Sequence, residues 1–378
     1  MLIIINNGVM RMSGSVYGTM FKIATWGESH GAGIGVVIDG CPAGLLLDEQ
    51  VVQDFLNRRK PGQTMYSSPR KEDDKVSILS GVFEGRTTGT PISLVVFNEN
   101  QRSGDYTQIA SCYRPGHADY TFDQKYGFRD YRGGGRSSAR ETIGRVAAGA
   151  VASAILRELG IKVHAYTKSI GPITIDSQNA DIANTSLSPL SMPDLEASKK
   201  AEEYLFDQMK DHNSVGGVIE CIVTGMPAGI GEPVFDKLDA SLAKAIMSIG
   251  AIKGIEIGDG FHAATVTGAD NNDPFIYDTD LGLRKTSNHA GGILGGISDG
   301  ADIILRAAVK PTPSIFRPQN TVNKDNENVE IRIQGRHDPI VVPRAVVVVE
   351  SMVAITLVDQ LFMGMTSQIG RIRDFYSR

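Results

Sequence analysis

Gly40-Cys41-Pro42-Ala43-Gly44 returns almost unchanged as Gly225-Met226-Pro227-Ala228-Gly229. Residues 34–38 precede the first copy and residues 218–223 the second, and both runs read as strands because they are short, apolar and rich in Ile and Val. Each turn is followed by an acidic helix start and an amphipathic helix. In the second, Leu238, Leu242, Ala245, Ile246 and Ile249 share one face at helical spacing. A strand, a glycine-bounded turn and a helix that recur in one chain predict an internal duplication, with segments 34–58 and 218–249 sharing one order of elements.

The rest of the chain fills in around these units. Val76–Val82 and Ile92–Phe97 read as a hairpin around Gly85 and Gly89. Residues 176–200 are rich in Ser, Asn, Asp and Pro and read as a surface excursion ahead of a helix near 195–211. Ala345–Met363 is the most apolar tail segment. Glu350 and Asp359 break it, so it reads as a strand followed by a buried helix, not a membrane span. No interdomain linker stands out, and residues 12–378 are expected to form a single domain. Residues 1–11 read as a flexible extension, with an apolar run too short for a signal peptide and no cap or turn signal to tie them down.

Composition narrows the function classes. The 378 residues carry 38 basic and 43 acidic side chains, a net charge of −5, which disfavours a nucleic-acid binder, as does an aromatic content of 7%. Cys41, Cys112 and Cys221 lie far apart with no CxxC spacing, which argues against a zinc site or a disulfide framework and suits a reducing cytosol.

On this acidic background, Arg114–Arg145 stands apart. It holds Arg114, Arg129, Arg132, Arg136, Arg140 and Arg145, with His117 and the run Gly133-Gly134-Gly135. Ser137–Leu159 reads as a helix rich in Ala with Ser137 or Ser138 at its N-cap. A glycine turn feeding a helix N-terminus, with arginines beside it, is suited to an anion carrying several phosphates or carboxylates. Two further glycine-flanked turns add proton-transfer chemistry: Gly27-Glu28-Ser29-His30-Gly31 and Gly335-Arg336-His337-Asp338-Pro339. A phosphotransferase would need a Walker signature, which is missing, and Gly31-Ala32-Gly33-Ile34-Gly35 has the wrong spacing for a dinucleotide fingerprint.

The motifs GESHG (27–31), RPGHADY (114–120), GGGRSSARET (133–142), SNHAGGILGGIS (287–298), KPTPS (310–314) and GRHDP (335–339) together resemble those of the chorismate synthase family, in the family's order. The resemblance implies an α+β fold: a β-α-β sandwich with mainly antiparallel sheets outside a central helical layer, assembled as a homotetramer in the cytoplasm. It implies a lyase of the shikimate pathway that removes phosphate from 5-enolpyruvylshikimate 3-phosphate by 1,4-elimination. Reduced FMN is required without net redox change, and in some members NADPH reduces the flavin.

Carried over by position, His30 is similar to the histidine that protonates the leaving phosphate, with Ser29 and Ser138 assisting. His117 resembles the acid beside the flavin, and Asp338 the carboxylate that serves in removing the ring proton. Arg59, Arg114, Arg140 and Arg336 are the implied substrate clamp. The implied FMN contacts are Arg136, Ser137, Ser138, Gly250, Ala251, Gly295, Lys310, Pro311, Thr312, Pro313, Ser314 and Arg336. Met65 and Lys60 stand where many members carry arginine, which bears on the clamp and on a nicotinamide contact there. Gly250 replaces an Asn of some relatives, so a backbone contact is expected.

Overall fold

Ile34, Val36 and Ile38 alternate along one strand and are fully buried, which makes that strand the centre of a sheet. The computed structural model describes residues 14–67, 73–98, 110–280, 282–333 and 338–377. Its first part contains β1 (Val16–Tyr17), β2 (Lys22–Gly27), β3 (Gly33–Asp39), α1 (Glu49–Arg59), β4 (Val76–Ser80), β5 (Val82–Phe83), β6 (Arg86–Thr87), β7 (Ile92–Phe97), α2 (Asp119–Tyr126) and α3 (Thr142–Glu158). The second part continues with β8 (Lys162–Ile170), β9 (Ile173–Thr174), α4 (Leu195–Lys210), β10 (Gly217–Thr224), α5 (Leu238–Met247), β11 (Ile252–Ile257), α6 (Gly268–Asn271), β12 (Phe275–Asp278) and β13 (Gly282–Lys285). It closes with β14 (Ile293–Leu294), β15 (Ile297–Ser298), β16 (Ile303–Val309), β17 (Gln319–Val322), β18 (Asn328–Ile331), α7 (Val342–Met363) and α8 (Ile369–Tyr376).

Two five-stranded antiparallel sheets dominate, so the fold is α+β. The first has the order β1-β2-β3-β7-β4 and the second β9-β8-β10-β16-β11. Helix α3 packs on β3 and on α7, and α7 packs on β8 and β10. The crossing of α3 and α7 is close because Gly149 faces Ser351. A Cβ on residue 149 would lie 2.2 Å from the Ser351 Cβ.

The two GxPAG turns have matching surroundings. Gly40 and Gly225 have φ of 88° and 79°, and Gly44 and Gly229 of 92° and 95°, values that L side chains resist. The Gly44 N–H donates to Thr87 O at 2.8 Å, and the Gly229 N–H to Ser298 O at 2.8 Å. Thr87 Oγ1 donates to Pro42 O and Ser298 Oγ to Pro227 O, both at 2.6 Å. In turn Thr87 Oγ1 accepts from the Leu45 N–H at 3.0 Å, and Ser298 Oγ from that of Ile230 at 2.9 Å. Each hydroxyl comes from the second strand of a small hairpin, β5–β6 or β14–β15.

Strands at 34–38 and 218–223, and helices following the turns, lie where the periodicity predicts them. The expected hairpin is the pairing of β4 with β7, with β5–β6 inserted at its bend. Two expectations need correction. The helix expected from Ser137 begins at Thr142; residues 135–137 and 139–141 are 3₁₀ turns, because Gly133, Gly134 and Gly135 all have positive φ and break the approach. Ser138 is a cap, but of the second 3₁₀ turn, where its Oγ accepts from the Arg140 N–H at 3.4 Å.

The second correction concerns Ala345–Met363, which is helical throughout, with no initial strand. Its valines are buried on all sides, so no polar face marks the helical period. This stretch, with the turn after it, is the one helix among the described residues long and apolar enough to cross a membrane, and 83% of its apolar window is buried in the fold. Both of its acids are satisfied. Glu350 accepts a two-pronged pair from Arg58 at 2.8 and 2.7 Å, and Asp359 accepts from the N–H groups of Thr19, Met20 and Phe21. The expected extension 1–11 lies outside the described residues.

Candidate active site

A cleft of about 2820 Å³ is lined by residues from widely separated parts of the chain, from Gly14 to Met352. That is well above the roughly 300–1,000 Å³ of a single small-molecule pocket, so there is space for two ligands side by side. His30 enters from the turn after β2, His117 from the turn before α2, and Asp338 from the segment before α7.

His30 is held by a glycine. Ser29 Oγ lies 3.1 Å from His30 Nδ1 and donates to Gly133 O at 3.3 Å. His117 is held at both ring nitrogens. Nδ1 lies 3.0 Å from Pro115 O, which can only accept, so Nδ1 carries a proton. Nε2 lies 2.8 Å from Ser314 Oγ, which leaves the neutral ring accepting from that hydroxyl. The two motifs that meet there are locked further, since Lys310 Nζ donates to Gly116 O at 2.7 Å and Gly116 packs on Pro313. Burial, then repulsion from Lys253, lowers the Lys310 pKa below its ordinary value.

The arginines of the cleft are each held by a carboxylate or by backbone and hydroxyl oxygens. Arg114 pairs with the buried Asp119 through Nε and Nη2, each 2.8 Å from a carboxylate oxygen. Burial pushes the Asp119 pKa up, but the hydrogen bonds and charge of Arg114, aided by Arg129, hold it below the ordinary value. Arg136 is oriented by backbone, donating to Gly27 O at 3.1 Å and to Thr25 Oγ1 at 2.7 Å. Arg59 and Arg140 share Asp74: Arg59 Nη2 pairs with Oδ2, and Arg140 Nη1 lies 3.3 Å from Oδ1. Arg140 Nη2 also donates to Asn98 Oδ1 at 2.7 Å. Arg344 pairs with Asp338 and donates from Nε to Arg59 O at 3.0 Å.

The cleft fits an anionic flavin nucleotide as well as a small polyanion. Buried Arg59 Nε and Thr312 Oγ1 have no hydrogen-bond partner among the described residues, and both residues line the cleft. Ile249, Val348 and Met352 give it an apolar wall suited to a planar ring. Ala251 has a φ of 72°, a strained conformation for a residue with a Cβ, and its carbonyl receives the Lys310 N–H at 2.9 Å.

The family model described as chorismate synthase matches residues 21–362. The chain belongs to the chorismate synthase family. The chorismate synthase of Lachnoclostridium phytofermentans is 68% identical over 97% of this chain and 100% of its own length. That of Agathobacter rectalis is 63% identical over the same shares. A solved structure described as "Crystal Structure of Chorismate Synthase" superposes with a TM-score of 0.75 at 30% identity, covering 96% of this chain and 97% of the other. The chorismate synthases are lyases acting on a phosphate ester in aromatic biosynthesis, and this chain is an enzyme of that class.

Of the residues expected from the chorismate synthase motifs, Ser29, His30, Arg59, Arg114, His117, Arg136, Ser137, Ser138, Arg140, Gly250, Ala251, Lys310, Thr312, Pro313, Ser314 and Asp338 all line the cleft. Pro311 and Gly295 are not among the lining residues: Pro311 packs on Gly216, and Gly295 sits in the β14–β15 turn. Arg336 lies outside the described residues. The sequence did not flag Asp74, Asn98 or Arg344. Asp74 is hidden in the ordinary acidic run Glu72-Asp73-Asp74, and Arg344 in the first turn of an apolar helix.

Proposed function

We propose that this chain converts 5-enolpyruvylshikimate 3-phosphate to chorismate and phosphate by 1,4-elimination, with reduced FMN and no net redox change. The observation that carries the reading is the convergence of the motifs GESHG, RPGHADY, GGGRSSARE and KPTPS with Asp338 on one cleft. The substrate carries a phosphate and two carboxylates, and Arg59, Arg114 and Arg140 are the groups to bind them, with Arg336 completing the set. His30 protonates the departing phosphate as its C–O bond breaks, and Ser29 and Ser138 hydrogen-bond its oxygens. Asp338, ion-paired with Arg344, is the carboxylate that serves in taking the ring proton, so the elimination balances as one phosphate and one proton lost for one new double bond.

Reduced FMN, when bound, supplies an electron-rich ring that eases loss of the phosphate and is returned unchanged. Arg136, Ser137, Ser138, Gly250, Ala251 and the segment Lys310–Ser314 are the residues to hold it, with Arg336 of the motif set. His117, fixed between Pro115 and Ser314, is in its protonated form the acid that sets the charge of the reduced ring.

Two wider features belong to the same reading. The chain is a homotetramer of the cytoplasm, with no nucleic-acid or membrane partner. Exposed Phe261, Tyr277 and Leu283 around β12–β13 supply apolar surface for self-association. The architecture is a duplicated β-α-β sandwich, supported by the matching orders β2-β3-β7-β4 and β8-β10-β16-β11 within the two sheets and by the paired Thr87 and Ser298 contacts.

Anaerobic assay with dithionite-reduced FMN tests the activity. Chorismate and phosphate should appear together with a transient change in flavin absorbance. Absence of phosphate release with a folded, flavin-binding protein would rule the reading out. Repeating the assay aerobically with NADPH and FMN decides whether the chain reduces its own flavin.

A further inference from the structure

We infer that Asp74 is a positioning residue of the substrate clamp, the shared counter-ion that fixes the spacing of Arg59 and Arg140. The inference rests on the reading that these two arginines meet the substrate's anionic groups.

Asp74 opens the approach to β4 and sits with φ of 45°, a left-handed conformation that Asp tolerates better than most residues. Its carboxylate is completely buried, and the Arg59 side chain is 2% exposed. One oxygen meets Arg59 from the end of α1, and the other faces Arg140 from the 3₁₀ turn before α3. These elements have no other ionic link to each other among the described residues. Asp74 therefore joins two walls of the cleft through one carboxylate.

The arrangement is directional: two guanidinium groups from different elements converge on the two oxygens of one carboxylate, and charge-assisted pairing with an arriving anion depends on how those groups are held. Asp74 has the sign of the substrate and so is not itself a binding group. Its contribution is geometric, since bidentate recognition by guanidinium depends on the angle and separation of the two forks. The neighbouring pair extends the frame, because Arg344 holds Asp338 on one side and Arg59 O on the other.

The test compares Asp74→Asn with wild type in kcat/KM for the substrate, in affinity for inorganic phosphate as a competitor, and in Tm. The amide keeps the shape and loses the charge. With reduced FMN supplied chemically, kcat/KM should fall roughly tenfold to a hundredfold, the scale of a misplaced reacting geometry. Phosphate, which does not need two forks at a fixed spacing, should bind no more than about threefold weaker, the scale of a lost weak ion pair.

A folded variant with wild-type kcat/KM overturns the inference. So does parallel weakening of substrate and phosphate with a lowered Tm, which would mark a purely structural acid. Should Asp74→Asn fail to fold, Asp74→Glu carries the same comparison, because it keeps the charge and shifts the carboxylate by one methylene. Failure of both to fold makes Asp74 a folding residue and overturns the inference too. Arg140→Ala separates the two levels: wild-type kcat/KM there would sink the clamp itself, whereas a loss there with normal Asp74 variants sinks only the role of Asp74.

Discussion

Gly133 presses its backbone against the imidazole of His30. A Cβ on residue 133 would lie 2.4 Å from His30 Cε1 and 2.8 Å from Ser29 Oγ, and its φ of 66° is itself unfavourable for any other residue. The glycine run is therefore a spacer for the histidine as much as a loop for an anion. Gly133→Ala should displace His30 and lower turnover by roughly a hundredfold, the usual worth of a lost acid or base, with a modest loss of Tm from the strained φ. Steady-state kinetics beside a thermal melt checks this, and unchanged turnover would mean that His30 does not need its present place.

Asp338→Asn keeps the shape of the carboxylate beside Arg344 but cannot accept a proton. Substrate and FMN should bind nearly normally, and turnover should fall at least roughly a hundredfold. Near wild-type turnover with dithionite-reduced FMN would show that the ring proton leaves by another route.

Arg140 reaches Asn98 and Asp74, away from the Lys310–Ser314 segment. Arg140→Ala should thus weaken substrate more than FMN, by about 1.5–3 kcal/mol for a lost charge-assisted bond. Titrating both ligands is the check, and equal weakening of the two would contradict the division of roles.

The Arg114–Asp119 pair sets an acid limit on stability. The folded pKa of Asp119 is depressed, so its contribution is fully present above the unfolded value of about 3.9 and is lost as pH falls through the lower folded value. Asp119→Asn should cost about 3–5 kcal/mol at neutral pH, because it strands a buried guanidinium. Its Tm should then change less than that of wild type below about pH 4. Melts across pH would expose the error if both proteins lost stability in parallel.

Thr87 and Ser298 make the same two hydrogen bonds in their two turns. Thr87→Val and Ser298→Ala should each destabilise by about 1–3 kcal/mol, since each removes two hydrogen bonds that tie a turn carbonyl and an N–H together. Denaturant unfolding measures both, and a large loss at one site with none at the other would argue against equivalent turns.

Much of this was legible in the chain. The GxPAG turns declared themselves because glycine and proline restrict backbone locally, and the flanking Ile and Val runs have a period of two. His30, His117 and the arginine window were visible for the same reason, as unusual residues between glycines. The start of α3 is not legible because alanine-rich sequence reads as helix up to the glycines, whereas the observed 3₁₀ turns depend on where the chain must pass His30 and Thr25. The first part of helix α7 reads as a strand in the sequence because burial on every side erases the amphipathic signal.

By itself, then, the sequence determined the repeated local units and the chemical types available to the cleft, since these follow from short-range backbone preference and from the residues present. Only the tertiary structure decided which charges meet. Asp74 lies in an unremarkable acidic run, yet it joins Arg59 to Arg140; Arg344 lies in an apolar helix, yet it holds Asp338. Ion pairs between distant segments are set by how sheets and helices pack, and a linear pattern carries no period for them.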